Sequence, residues 1–228
     1  MNTTTLKILY EDNHLLVVNK PAMLPTMGTP GDRPTLLTLA KQYVKRRYRK
    51  PGNVYLGVMS RLDAPTSGVV LLARTSKAAR RLTEQFRTHA VDKLYWALVE
   101  GAVEPASGNL VDWLGQDDRH RRMHVVGATL PGAKEARLSY QRLSVQRGYS
   151  LLEVRLETGR KHQIRLQMAH RGHPVVGDRK YGGSVQFPDG IALHARRLVV
   201  SHPTSGVALE FVAPPPGVWR RFGIGLPK

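Results

Sequence analysis

Asp63 sits in the run Arg61-Leu62-Asp63-Ala64-Pro65-Thr66-Ser67-Gly68. A carboxylate at a loop mouth can attack an electrophilic carbon or accept a proton, yet Asp, Pro, Thr, Ser and Gly are also ordinary turn formers. Spacing alone leaves both readings open. In Gly159-Arg160-Lys161-His162-Gln163-Ile164-Arg165 an imidazole and a guanidinium stand three apart, on one face if the segment is helical. His162 could equally be a helix-start residue that bonds to backbone. Tyr95 lies where Leu94, Trp96 and Leu98 alternate with Tyr95, Ala97 and Val99, the usual setting of a core tyrosine on a strand. With a reference pKa of about 10, its phenol is a poor base at neutral pH. His120 and His124 are at spacing four in Asp117-Asp118-Arg119-His120-Arg121-Arg122-Met123-His124 and could share a metal on a helix. A catalytic metal ordinarily takes three protein ligands, and three arginines crowd this pair, so we read a loop facing a polyanion and expect no metal.

These groups need elements to hold them. Leu15-Leu16-Val17-Val18-Asn19-Lys20 is an apolar run closed by Pro21, which predicts a buried strand opening into a loop that continues to Pro34. Leu36, Leu39, Ala40, Tyr43 and Val44 form a helical stripe. It ends in Lys45-Arg46-Arg47-Tyr48-Arg49-Lys50 before Pro51-Gly52, a cluster that either faces a polyanion or is a solvated helix end. A second buried strand is predicted over Val69–Ala73, then a helix after Ser76 whose Ala78, Ala79, Leu82 and Phe86 are core. Leu94–Val99, Ala136–Val145, Leu151–Thr158, Leu193–Val200 and Ala208–Ala213 read as strands. In the third of these, Leu152, Val154 and Leu156 alternate with Glu153, Arg155 and Glu157, as in a one-sided antiparallel sheet. His162–Arg171 reads as a short helix stopped by Gly172. Strand-rich order with few long helices predicts an α+β fold.

Thirty-five Lys+Arg against 17 Asp+Glu leave a formal charge of +18 over 228 residues. Such a field favours a polyanion, because each phosphate contact releases condensed counterions. Cysteine is absent, which excludes disulfides, thiolate catalysis and Cys-ligated zinc. The N-terminus has no basic segment followed by an apolar one, and the longest apolar runs are too short to span a bilayer. The expected location is the cytoplasm, with no membrane contact.

The Asp63 run resembles the signature of the pseudouridine synthases that modify ribosomal and transfer RNA, the RluA-like family, where Arg-Leu-Asp is followed two residues later by Thr-Ser-Gly. Lys93-Leu94-Tyr95, Gly159-Arg160-Lys161-His162-Gln163-Ile164-Arg165, and the stretch from His173 through Gly177-Asp178 and Tyr181-Gly182 resemble further blocks of that family, in the same order, over roughly residues 8 to 213. One departure is Ser60, where relatives commonly have His. The resemblance implies a bent, mainly antiparallel sheet flanked by helices and loops around a central RNA-binding cleft. It implies isomerisation of a uridine in structured RNA: N1–C1′ is broken, the base turns, and the sugar is rejoined through C5. It assigns Asp63 as the carboxylate that attacks C1′ or removes the C2′ proton, Arg165 as the cation that keeps Asp63 ionised, and Tyr95 as the residue packing on the base. Arg61 would fill the stack that the flipped base vacates, and Arg160 and His162 would contact RNA. No metal or organic cofactor is required and no obligatory protein partner is expected. Many relatives begin with a separate small RNA-binding domain; the early strand at Leu15 leaves no room for one, so a single catalytic domain over residues 1–228 is expected.

Two rivals belong to other classes. An RNA-binding accessory protein of the same fold would need no ionised carboxylate in a basic site. A nucleoside hydrolase would cut the same bond with water and release free uracil.

Overall fold

Strand pairing here starts from uninterrupted apolar runs. In the computed structural model, which describes residues 6–28, 33–117 and 122–222, the elements follow in the order β1 (Lys7–Glu11), β2 (Leu15–Lys20), α1 (Leu36–Arg47), β3 (Gly57–Val58), β4 (Ser67–Ala73), α2 (Ser76–Arg87), β5 (Asp92–Glu100), β6 (Ser107–Asp117), β7 (Arg122–Val126), β8 (Lys134–Gln146), β9 (Tyr149–Leu156), α3 (Gln163–His170), β10 (Leu193–Ser201) and β11 (Ala208–Val212), with short 3-10 turns at Arg179–Tyr181 and Gly217–Phe222. The class is α+β. Two compact units are formed, Met1–Asp92 with Ala195–Pro215 and Lys93–His194 with Pro216–Lys228.

In the first unit the strands lie in the order β1-β2-β4-β10, with β11 beside β10 and β3 beside β4. Every residue of β4 is buried, which is why its sequence is a run rather than an alternation. It pairs antiparallel with β2 from Leu15↔Ala73 to Lys20↔Gly68. Leu15, Val17, Val69, Leu71, Leu82 and Leu198 fill the core. Thr35 caps α1: its hydroxyl accepts from Thr38 N, and Thr38 Oγ1 accepts from Thr35 N, a reciprocal pair that satisfies two exposed donors. At α2 the cap is Thr75, whose hydroxyl accepts from Ala78 N, so the helix begins at Ser76 itself.

The second unit carries β5-β9-β8-β6-β7, each neighbour pair antiparallel, over a core that includes Trp96, Leu98, Leu138, Leu152, Val154 and Ile164. Over 152–157 the expected alternation is only partial: Leu152 and Val154 are buried and Arg155 and Glu157 exposed, while Glu153 and Leu156 are both half-buried. Four strands depart from expectation: β1, β3, β6 and β7 lie where the sequence pattern predicts none. The loop expected over 117–124 is strand at both ends, with pairing from Gln116↔Met123 to Asp117↔Arg122. Residues 118–121, including His120, lie outside the described residues. His124 is in β7, 3.8 Å from the Asp117 carboxylate.

Candidate functional site

Asp63 is half-buried and Arg61 exposed on the loop that leads into β4. The backbone around them is pinned by side chains from outside the loop. Thr26 Oγ1 donates to Leu62 O at 2.8 Å and accepts from Leu62 N at 3.1 Å, so one hydroxyl holds both polar groups of the residue before Asp63. Behind it, Thr66 N donates to Asp63 O at 3.0 Å, closing the turn that the Ala-Pro-Thr sequence favours. Ser60 continues the pairing of β4: Met59 N donates to Leu71 O and Leu71 N donates to the Ser60 hydroxyl at 3.0 Å. The residue that departs from the family pattern therefore anchors backbone. At the other end, Gly68 has φ +120°, and an added Cβ would lie 2.3 Å from Ala195 O and 2.5 Å from Ala195 N. Only glycine fits this approach of β4 to β10.

Lys20 completes the loop's support and was not singled out by sequence reasoning. Its side chain is fully buried, and Nζ donates to the carbonyls of Pro21, Leu24 and Ala64 at 3.0, 2.7 and 3.1 Å. Three acceptors match the three N–H groups of an ammonium. Burial pulls its pKa from 10.5 down to about 7, while the negative charge of Asp63 acts in the opposite direction. A lysine closing a strand before proline reads as a surface residue; only the fold brings the Leu24 and Ala64 carbonyls around it.

In the second unit the Gly-Arg-x-His-Gln-Ile-Arg segment folds around the start of α3. Gln163 Oε1 accepts from Thr158 Oγ1 at 2.8 Å and from Arg160 N at 2.9 Å, and its Nε2 donates to Arg137 O at 3.0 Å. This buried amide fastens the turn to β8. His162 is not helical: it precedes α3 with φ 57° in the left-handed region, so the one-face argument linking it to Arg165 does not apply. Its Nδ1 lies 2.7 Å from Tyr181 Oη. Met123 N donates to that same oxygen, so Tyr181 ties the start of α3 to β7.

Arg165 is buried and forked onto Asp178, Nε to Oδ2 at 2.6 Å and Nη2 to Oδ1 at 2.9 Å. Its guanidinium also lies 5.1 Å from the centre of the Tyr181 ring, within cation–π range. The sequence named Arg165 and the Gly177-Asp178 and Tyr181-Gly182 blocks separately; a thirteen-residue separation gave no signal that they meet. Arg160 is exposed, its Nε donating to Glu135 O at 2.8 Å. Tyr95 is half-buried on β5 opposite Val154 of β9 and packs against the second unit's core.

The structure thus gathers Arg61 and Asp63 on one loop of the first unit, and Arg160, His162 and Arg165 around the start of α3 in the second. Among the described residues no group of three His, Cys, Asp or Glu side chains is placed to hold a metal.

A family model described as RNA pseudouridylate synthase matches residues 14–170. The chain is 39% identical to ribosomal large subunit pseudouridine synthase D of Xylella fastidiosa over 92% of this chain and 66% of that protein, and 34% identical to tRNA pseudouridine synthase C of Pectobacterium carotovorum over 96% and 63%. It spans about two thirds of the length of these curated relatives. Among solved structures, human RNA pseudouridylate synthase domain containing 4 superposes with a TM-score of 0.80 at 26% identity, covering 97% of this chain and 95% of that one.

Proposed function

The chain belongs to the RNA pseudouridylate synthase family, and we propose that it converts a uridine in structured ribosomal or transfer RNA to pseudouridine. The observation that carries this reading is Asp63, reachable from solvent on a backbone fixed by Thr26 and Lys20. The reaction breaks N1–C1′ and forms C5–C1′; C5 gives its hydrogen to solvent and N1 regains one, so the base is an isomer of the starting one. Asp63 serves at the sugar, by attack on C1′ or removal of the C2′ proton. A flexible carboxylate would reach many wrong positions, and the pinned loop removes that freedom before substrate arrives.

Arg61, exposed beside Asp63, fills the stack left by the flipped base, because a planar cation can lie on bases. Tyr95 supplies a ring for the target base. Arg165 is the proposed cation that favours the ionised acid, and Arg160 and His162 contact the RNA. The net charge of +18 makes the phosphate backbone the dominant source of affinity. The proposed setting is the cytoplasm, with no obligatory protein partner; among the described residues no helix is long and apolar enough to cross a membrane.

Asp63→Asn tests the assignment with RNA carrying tritium at uridine C5. We expect tritium release to fall by at least ~10³-fold, with RNA affinity unchanged or slightly tighter and the melting temperature preserved. Wild-type release of free uracil would mean a hydrolase, and neither product would mean an accessory binding protein. C5 exchange at the wild-type rate by Asp63→Asn removes Asp63 from the reaction.

A further inference from the structure

The C-terminal end of α1 is built against its own stability. Tyr48 caps the helix, Arg49 N donates to Arg46 O and Lys50 N to Lys45 O, the paired bonds of a Schellman ending. In such an ending the residue after the cap is left-handed and is usually glycine, and the residues at the positions of Lys45 and Lys50 usually make an apolar contact. Here the left-handed residue is Arg49, with φ 47°, and the contact positions hold two lysines. Lys41, Arg46 and Arg47 join them, all exposed. Lys41 and Lys45 are like charges four apart on the helix, which repel.

A helix dipole does not account for this. It amounts to about half a charge and is met by one or two cations in the last turn. The carboxylate beside the end is already engaged: Glu11 accepts from Tyr43 Oη at 2.8 Å and Tyr48 Oη at 2.9 Å and pairs with Arg74 at 3.2 Å. Arg74 also lies 4.4 Å from the centre of the Tyr48 ring, so the cap is clamped from both sides. No ion pair joins Glu11 to any of the six cations among the described residues. The end is held through its cap, strongly positive and, among the described residues, without an ion pair of its own, and sequences break local rules in this way where function requires it.

Its position is also defined. Leu36 N donates to Pro25 O at 2.8 Å and Leu37 N to Thr26 O at 3.1 Å, so α1 starts on the segment whose Thr26 hydroxyl holds Leu62 beside Asp63. Twelve residues of helix then carry the cations about 18 Å away from that anchor. We propose that this helix end is a second RNA-docking surface, which holds backbone phosphates of the duplex flanking the target nucleotide and so selects RNAs with structure on that side. The proposal rests on the reading above that RNA is the substrate.

Two variants and two hairpins test it. The hairpins carry the same uridine-containing loop on a long stem or on a stem cut to a few base pairs. Arg49→Gly relieves the left-handed backbone and removes one cation, so it should raise the melting temperature while weakening binding to the long-stem hairpin several-fold. Lys45→Gln/Arg49→Gly/Lys50→Gln should reduce the slope of log affinity against log salt by about 2.7, as expected for three lost phosphate contacts on a duplex. It should also erase the wild-type preference for the long stem and raise KM more than it changes kcat. Unchanged slope and preference, with Asp63-dependent tritium release intact, overturn the docking surface and leave the proposed reaction standing. Loss of binding to phosphatidylserine vesicles with RNA binding unchanged overturns it in favour of a membrane surface. A wild-type chain that binds neither hairpin and releases no tritium takes the proposed reaction down as well.

Discussion

The Asp63 loop and the start of α3 hold their charged groups by opposite means. Around Asp63 the side chain is left half-buried and its backbone is fixed from elsewhere, by the Thr26 hydroxyl on Leu62 and the Lys20 ammonium on Ala64. Around α3 the charged side chain itself is locked: Arg165 is forked onto Asp178 with both nearly inaccessible, and Gln163 binds the turn. A group that must meet a substrate atom has to stay reachable, so its precision comes through the chain. A group that supplies fixed charge can be buried, provided that its partner is buried with it.

The comparison is most exposed to attack at Asp178. Asp178→Ala leaves Arg165 buried without its acid and should cost about 3–5 kcal/mol in urea unfolding. Arg165→Met/Asp178→Leu should recover most of that stability while remaining inactive, since a buried pair can be replaced by apolar side chains at little cost. A double variant as unstable as the single one would show that packing, not charge, dominates there.

Next comes Lys20, whose effect depends on pH. Below about 7 lysine is protonated in both folded and unfolded chains, and the folded form bears the full desolvation cost. Between about 7 and its unfolded value near 10.4 the unfolded chain binds a proton that the folded one lacks, so stability should rise with pH. Lys20→Met has no such group; wild type should therefore gain on it by on the order of 3 kcal/mol between pH 6.5 and 9.5. A parallel pair of curves would mean that Lys20 stays charged throughout, held by its three carbonyls. Turnover of the variant should fall roughly 10²-fold through displacement of the Asp63 loop.

Smaller effects sharpen the contrast. Thr26→Val leaves both polar groups of Leu62 unpaired and should cost about 1–3 kcal/mol, with turnover reduced and RNA affinity held. Ser60→Ala removes one acceptor at the edge of β4 and should cost about 1 kcal/mol, with turnover within about twofold. A larger catalytic loss from Ser60→Ala would make that hydroxyl a participant rather than an anchor.

Local pattern made one of these regions more legible than the other. The Asp63 loop and β4 could be read directly, because turn residues and a buried apolar run are contiguous signals. β1, β3, β6 and β7 have no clear sequence signal: β3 has two residues, β1 and β7 have five each with charges at Lys7, Glu11 and Arg122 blurring the alternation, and β6 interrupts its apolar residues with Gly108, Asn109, Asp112 and Gly115. The limits of α3 were read to within a residue, but the left-handed backbone of His162 has no sequence mark, since such conformations are adopted by few residues other than glycine. Lys20 goes unmarked in the sequence, and Asp178 and Gln163, though they fall within family-like blocks, show no individual role there, for a different reason. Each matters through partners brought near only by the fold, and a sequence scanned by periodicity carries no record of them.

Gly68 finally bears on what mutation can explore around the reactive acid. Because a methyl group there would meet the backbone of Ala195, and because Gly68 is in register with Lys20, the chain downstream of Asp63 is indexed to a fixed rung of the ladder. An inserted or deleted residue between 63 and 68 cannot be absorbed by sliding β4, since a slip of one would turn its side chains to the opposite face and place a side chain at the tight crossing. Substitution on the loop's rim, as at Ser60, can be absorbed where a change of length cannot: the sheet acts as a ruler, and the distance in residues from acid to glycine is the quantity it measures.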